Sequence, residues 1–393
     1  MDERGGERHD GRRTSILVVG VILLVVTATR ELAVRTTSTG PLVWTVALDG
    51  FPQSIVVDAQ THRAFITTMP LGVGADGTRM SVLDTDTGAI LRRMVVGGSG
   101  YSPAAVDERA GRVFVAASVQ VRSGPGVTGI VRVLDARSGD LVRTVTLGLF
   151  PQGVAVNERT GRAFVTSVGV GGAGLVGVLD TRTGRLLRTV DVGMGPQAQV
   201  VLDARRERVF VPVYNRTGNG HVSVLDARSG RPLYTFAADT VPVRVAVDTR
   251  TGHAFVADES SIGLRVYDTR NGHLVRTILT GHHPGVPVVD EQTERAFVST
   301  AAAISMLDTR SGAVLRSVAV GRYPGPPAVD VRSGRVFVAT NAAQAASVSV
   351  LDARTGALIR RTVVPGAITG PIVIDERAER VNVLKPAYKR LDC

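Results

Sequence analysis

Short apolar runs recur along the chain, each cut off by a polar turn. Gly153-Val-Ala-Val156, Ala163-Phe-Val-Thr166 and Val222-Ser-Val-Leu225 are typical. Their β-branched content and brevity predict strands buried on both faces rather than helices. Two patterns alternate. In the first, a strand ends in Asp, a turn carrying Arg and Gly follows, and the next strand contains Phe-Val. Its Asp, once Asn, falls at Asp58, Asp107, Asn157, Asp203, Asp248, Asp290, Asp330 and Asp375. The second reads Val-Leu-Asp-x-Arg-Ser/Thr-Gly, then Leu-x-Arg-x-Val, with Asp at Asp84, Asp135, Asp180, Asp226, Asp268, Asp308 and Asp352. Copies lie about 40–50 residues apart, the spacing of propeller blades.

The turn chemistry explains the pattern. An Asp side chain hydrogen-bonds the turn backbone, and Gly accepts the left-handed conformation. Each unit is therefore two hairpins, or four strands a to d. Such a unit has two apolar faces and needs neighbours on both sides, which a closed ring supplies. Trp44–Leu48 resembles the d strand Arg143–Leu147, and Tyr388–Asp392 resembles the c strand Val131–Asp135. The expected fold is an all-β propeller of eight four-stranded blades, its last blade closed by the N-terminal strand. A seven-bladed ring with an appended hairpin is the alternative.

The N-terminus interrupts the pattern. Residues 1–13 form a basic tail. The 16 residues Thr14–Thr29 are uncharged and predict a hydrophobic helix, either a signal peptide or an uncleaved membrane anchor. Residues 30–41 read as a linker and 42–393 as the propeller. Arg4, Arg8, Arg12 and Arg13 precede the apolar run, against Arg30 and Arg35 after it. That bias predicts an extracytoplasmic domain in the cell envelope under either reading.

Copies such as Arg162-Ala-Phe-Val-Thr166 and Val224-Leu-Asp-Ala-Arg-Ser-Gly230, with a Pro opening each blade, resemble YVTN/YncE-like β-propeller repeats. The resemblance runs from about Leu42 to Cys393, with Phe in place of the usual Tyr. It implies a bacterial or archaeal cell-surface or extracytoplasmic protein, and no single activity.

Composition narrows the chemistry. The formal charge is +11, carried by Arg, with Lys385 and Lys389 the only lysines. No cluster of basic residues interleaved with aromatics points to nucleic acid. Cys393 is the single cysteine, which excludes an intrachain disulfide and a Cys-based metal site. Trp44 is the single tryptophan, so a cofactor made from two tryptophans is excluded. GxSxG, HExxH and Walker motifs are absent.

Strand order sorts the loops by face. The a–b and c–d turns share the bottom, where Arg concentrates, either as solvated turns or as a seat on anionic headgroups. The d–a loops share the top with the b–c loops, which are Gly-rich in the first four blades. The d–a loops place Phe51, Tyr101, Phe150, His282, His283, Arg322 and Tyr323 before the blade-opening prolines, and Gln53, Gln152 and Gln197 after them. His282 and His283 stand at the top of the fifth blade with Asp258 and Glu259, a combination able to bind a divalent metal or do acid–base work. The expected function is a monomeric binding module that takes a protein, glycan or small ligand at this mouth, with no cofactor and a membrane contact through an uncleaved anchor. The alternative is a hydrolase or lyase with a metal-assisted site at the same mouth.

Overall fold

The computed structural model describes residues 22–27, 43–48, 50–70, 77–98, 101–121, 126–196, 199–214, 220–238, 242–258, 262–281, 284–341, 345–365, 372–375 and 380–384. Their strands, β1 to β32 in chain order, form four-stranded sheets. Among the described residues there is no α-helix; the one helical turn is the 3-10 segment Val170–Gly172.

Seven sheets are regular blades, each made of four consecutive strands: blade 1 at residues 51–95, blade 2 at 104–146, blade 3 at 150–194, blade 4 at 201–237, blade 5 at 242–279, blade 6 at 287–319 and blade 7 at 328–365. Pairing within them is antiparallel throughout, for example Asn157↔Arg162 and Arg162↔Asp180 in blade 3. The remaining strands make a sheet of another kind, in the order β2 (Val43–Ala47), β1 (Ile22–Thr27), β32 (Arg380–Leu384), β31 (Val373–Asp375). In it β1 runs parallel to both neighbours, with Val26 opposite Leu384 and Val46.

This corrects the expected architecture in two respects. The propeller has seven regular four-stranded blades rather than eight equivalent ones. The apolar run does not precede the domain as a helix either, because Ile22–Thr27 is a strand inside the terminal sheet. The physical reason lies in its residues: Ile, Val and Thr are stiff at χ1 and favour the extended chain. Two sheet edges, on β32 and β2, satisfy its backbone groups on both sides. The expected c strand, Tyr388–Asp392, lies outside the described residues. No described helix is long and apolar enough to cross a membrane.

The core sits between blades. One Phe from the second strand of each regular blade, Phe65, Phe114, Phe164, Phe210, Phe255, Phe297 and Phe337, is at most 3% exposed. Each meets the next blade: Phe164 packs with Val209 and Val211, and Phe297 with Val336 and Val338. The terminal sheet joins the ring by the same means. Val46 and Leu48 pack against Ile55 and Ile66 of blade 1, and Ile372 against Phe337 of blade 7. The innermost strands adjoin in chain order, and β31 lies between β27 (Ala328–Asp330) of blade 7 and β3 (Phe51–Asp58) of blade 1.

Candidate interaction face at the channel mouth

The top is built by the Pro-opened starts of the innermost strands. In β3 and in β11 (Phe150–Asn157) the residue after Pro is a β-bulge: register slips between Pro52 and Ser54, and between Pro151 and Gly153. A bulge re-aims the extra side chain. Gln53 is thereby turned toward blade 2, where its Oε1 accepts the Ser102 N–H at 2.9 Å. Gln199 makes the same kind of latch from blade 4 to blade 5, accepting the Val245 N–H at 2.8 Å. Gln152 folds back instead, donating to the Phe150 carbonyl at 3.4 Å. The expected ligand contacts of Gln53 and Gln152 are thus at least partly committed to the scaffold.

Of the other expected residues, Phe51 is 36% exposed, Phe150 45%, Tyr101 49% and Tyr323 78%. Arg322 is also exposed. Tyr323 adopts φ 50°, and its N–H bonds the Ala301 carbonyl at 2.9 Å. Burial pushes the Tyr101 hydroxyl above its ordinary pKa, and Arg244 pulls it back. Arg244 lies on β19 (Pro242–Asp248) of blade 5, which does not adjoin blade 2. Asp258 is 3% exposed at the end of β20 (His253–Asp258). Its expected companions Glu259, His282 and His283, and Gln197, lie outside the described residues. Among the described residues no group of three His, Cys, Asp or Glu is placed to hold a metal.

The structure adds residues that the sequence reading passed over. Val170 is 84% exposed and Met194 50%. Together with Phe150 they span the top of blade 3 from the innermost strand to the outermost: Phe150 pairs Val168, Val170 sits in the following turn, and Met194 pairs Ala173. Phe51 and Met69, cross-strand partners, repeat the arrangement on blade 1, and Met69 is 36% exposed. The signal for Val170 was its setting in Gly169–Gly174, a loop too Gly-rich to bury an apolar side chain.

The bottom resolves differently. The first residue of the second strand pairs with the Asp ending the third: Arg63–Asp84 at 3.2 Å, Arg112–Asp135 at 2.8 Å, Arg162–Asp180 at 3.2 Å and Arg295–Asp308 at 2.8 Å. Glu207 of blade 4 bridges Arg228 and, across the blade boundary, Arg159 of blade 3, both at 2.6 Å. Glu294 of blade 6 does the same for Arg310 at 2.7 Å and Arg250 at 3.3 Å. The bonds from Arg228 and Arg310 hold these two carboxyls below their ordinary pKa. Much of the bottom Arg charge is therefore offset within the chain.

A family model described as "Outer membrane protein assembly factor BamB" matches residues 127–290 and 172–377, together more than half of the chain. The matched span runs from blade 2 through blade 7 into the terminal sheet. A search of the curated proteins finds no match. Among solved structures, the crystal structure of the computationally designed Ika8 protein is similar, with 16% identity and a TM-score of 0.63, covering 83% of this chain and 91% of that one. At that identity the likeness concerns the fold alone.

Proposed function

Because this chain belongs to the family described as outer membrane protein assembly factor BamB, a β-propeller repeat family, we propose that it is a non-catalytic, extracytoplasmic interaction module that binds a partner protein on its top face. Within that family its repeats read as YVTN-like, on copies such as Arg162–Thr166. The outer-membrane wording of the family description supports a place in the cell envelope. The observation that carries the binding face is the exposed apolar series Phe150, Val170 and Met194 across blade 3. A contiguous apolar surface rimmed by polar loops is characteristic of protein contacts. The exposed Tyr101 and Phe51, at the top of the neighbouring blade 2 and of blade 1, are residue types enriched in such contacts.

Photo-crosslinking in intact cell envelopes tests the reading. A probe at position 170 on the top is compared with one at position 354 on the bottom. A discrete protein adduct is expected from 170 alone, and it disappears in the Phe150→Asp/Met194→Asp variant while the melting temperature stays within a few degrees. Equal adducts from both faces, or an adduct indifferent to that double change, would sink the proposal.

A further inference from the structure

The third residue before the Asp of the second pattern occupies the middle of each blade's third strand. It is Ser81, Arg132, Gly177, Ser223, Arg265, Ser305 and Ser349 in blades 1 to 7. The four serines are at most 4% exposed, because this position faces the preceding blade, where space is short. In blade 2 the position carries a long cation. Arg132 lies on β9 (Val127–Asp135), on the same face as Leu134 two residues on. Leu134 packs in the apolar cluster that joins blades 1 and 2, with Phe65, Val82 and Val96. The Arg132 stem therefore enters an apolar wedge, while the side chain as a whole stays half-buried.

Its Nε is out of contact with solvent and has no hydrogen-bond partner. Other arginines with a buried Nε, Arg63, Arg112 and Arg295, each pair an Nη1 with a carboxylate. No carboxylate among the described residues pairs with Arg132. The one at the lower end of the same wedge, Asp140, is taken by Arg92. Burial alone moves the Arg132 guanidinium below its ordinary pKa. A desolvated, unpaired cation costs free energy, and four other blades show that Ser fits the position; a ligand that completes the charge explains its presence.

We propose that Arg132 is the receptor of an oxyanion site in the wedge between blades 1 and 2, open at the rim of the propeller. The stem fixes the guanidinium, and its Nη fork meets a carboxylate or phosphate group arriving from outside. Thr144, the register partner of Arg132 on β10 (Leu141–Thr146), is exposed at the same rim and supplies a hydroxyl donor. The site is separate from the top face and does not depend on it.

Thermal unfolding of the full-length protein tests this, in phosphate, acetate and chloride at equal ionic strength. Ligand that binds only the folded chain raises its melting temperature with concentration. The wild type is expected to melt higher in phosphate or acetate than in chloride. Arg132→Ser, the residue used by blades 1, 4, 6 and 7, is expected to lose that anion dependence while melting in chloride no lower than the wild type. A response to phosphate alone assigns the site to phosphoryl groups, and a response to acetate assigns it to carboxylates of a partner or small acid. Arg132→Met keeps the stem without the charge and carries the same prediction should the serine variant fold poorly. The same anion response in wild type and variants, or none in the wild type, overturns the proposal.

Discussion

The smallest repeated device is the turn aspartate. Asp248 is buried, and its Oδ1 accepts the N–H of Arg250 at 2.8 Å and of Thr251 at 3.0 Å. Asn157 does the same for Arg159 at 3.1 Å and Thr160 at 3.2 Å, which is why Asn substitutes there without breaking the pattern. Asp248→Ala leaves two turn donors unpaired and is expected to cost about 1–3 kcal/mol in urea unfolding. The residue that leaves the turn is left-handed whatever its identity. Gly111, Gly161, Gly252 and Gly334 fill the place in four blades, and His62, Glu207 and Glu294 adopt φ 54–57° in three others. At 207 and 294 the strain is retained where the side chain bridges two arginines. Glu207→Gly is therefore expected to relax the backbone while uncoupling Arg159 from Arg228, so its net effect on melting temperature is small and grows more favourable as salt is added.

At the level of the element, the Leu-x-Arg-x-Val motif acquires a role. The Arg of one blade's outer strand reaches the c–d turn of the next: Arg143 Nε bonds the Thr183 carbonyl at 3.1 Å, and Arg316 the Thr355 carbonyl at 3.3 Å. In blade 4 Tyr234 replaces the Arg and donates to the Thr269 carbonyl of blade 5. These outer straps cooperate with the buried Phe layer. Phe164→Ala removes a fully buried ring at the boundary of blades 3 and 4 and is expected to cost about 3–5 kcal/mol by equilibrium unfolding. Close approach of neighbouring blades is just as demanding at Gly195, whose φ is 70° and whose added Cβ would come within 2.2 Å of the Tyr214 carbonyl oxygen. Gly195→Ala is expected to destabilise by more than about 1 kcal/mol, since both the backbone conformation and the contact resist it.

Across the whole molecule the bottom carboxylates set the response to acid. Asp135, Asp308 and Asp352 are held below the ordinary value of 3.8, foremost by the N–H groups of Ser138, Ser311 and Thr355. In Asp84, Asp180 and Asp226 burial opposes the shift, and turn N–H and hydroxyl groups overcome it. A depressed carboxyl contributes stability above its unfolded value and loses it as pH falls through the folded one. Six such groups on one ring predict a melting temperature nearly flat above pH 5 and falling steeply below about pH 4. Closure of the ring is the other global property. Val46, 6% exposed in the apolar cluster with blade 1, ties the N-terminal part of the chain into the propeller. Val46→Asp buries a carboxylate in that cluster and is expected to lower both the melting temperature and the cooperativity of unfolding.

The chain's local chemistry determined the blades. Turn aspartates, left-handed turn residues, Phe-Val strands and the resulting repeat were legible because each depends on contacts within one hairpin or with an identical neighbour. The Pro-aromatic positions at the top were legible for the same reason, through Phe51, Tyr101, Phe150 and Tyr323. What needed the tertiary structure were the terms that cross blades or chain ends. The side chain of Gln53 turned out to latch the next blade because a bulge re-aims it, and bulges leave no mark in the hydrophobic pattern. Arg159 and Arg250 met carboxylates of the adjoining blade, Glu207 and Glu294, a pairing that composition cannot distinguish from free charge. Ile22–Thr27 became a strand rather than a helix because two open sheet edges stood ready to take its backbone, and the number of such edges is decided only when the ring closes.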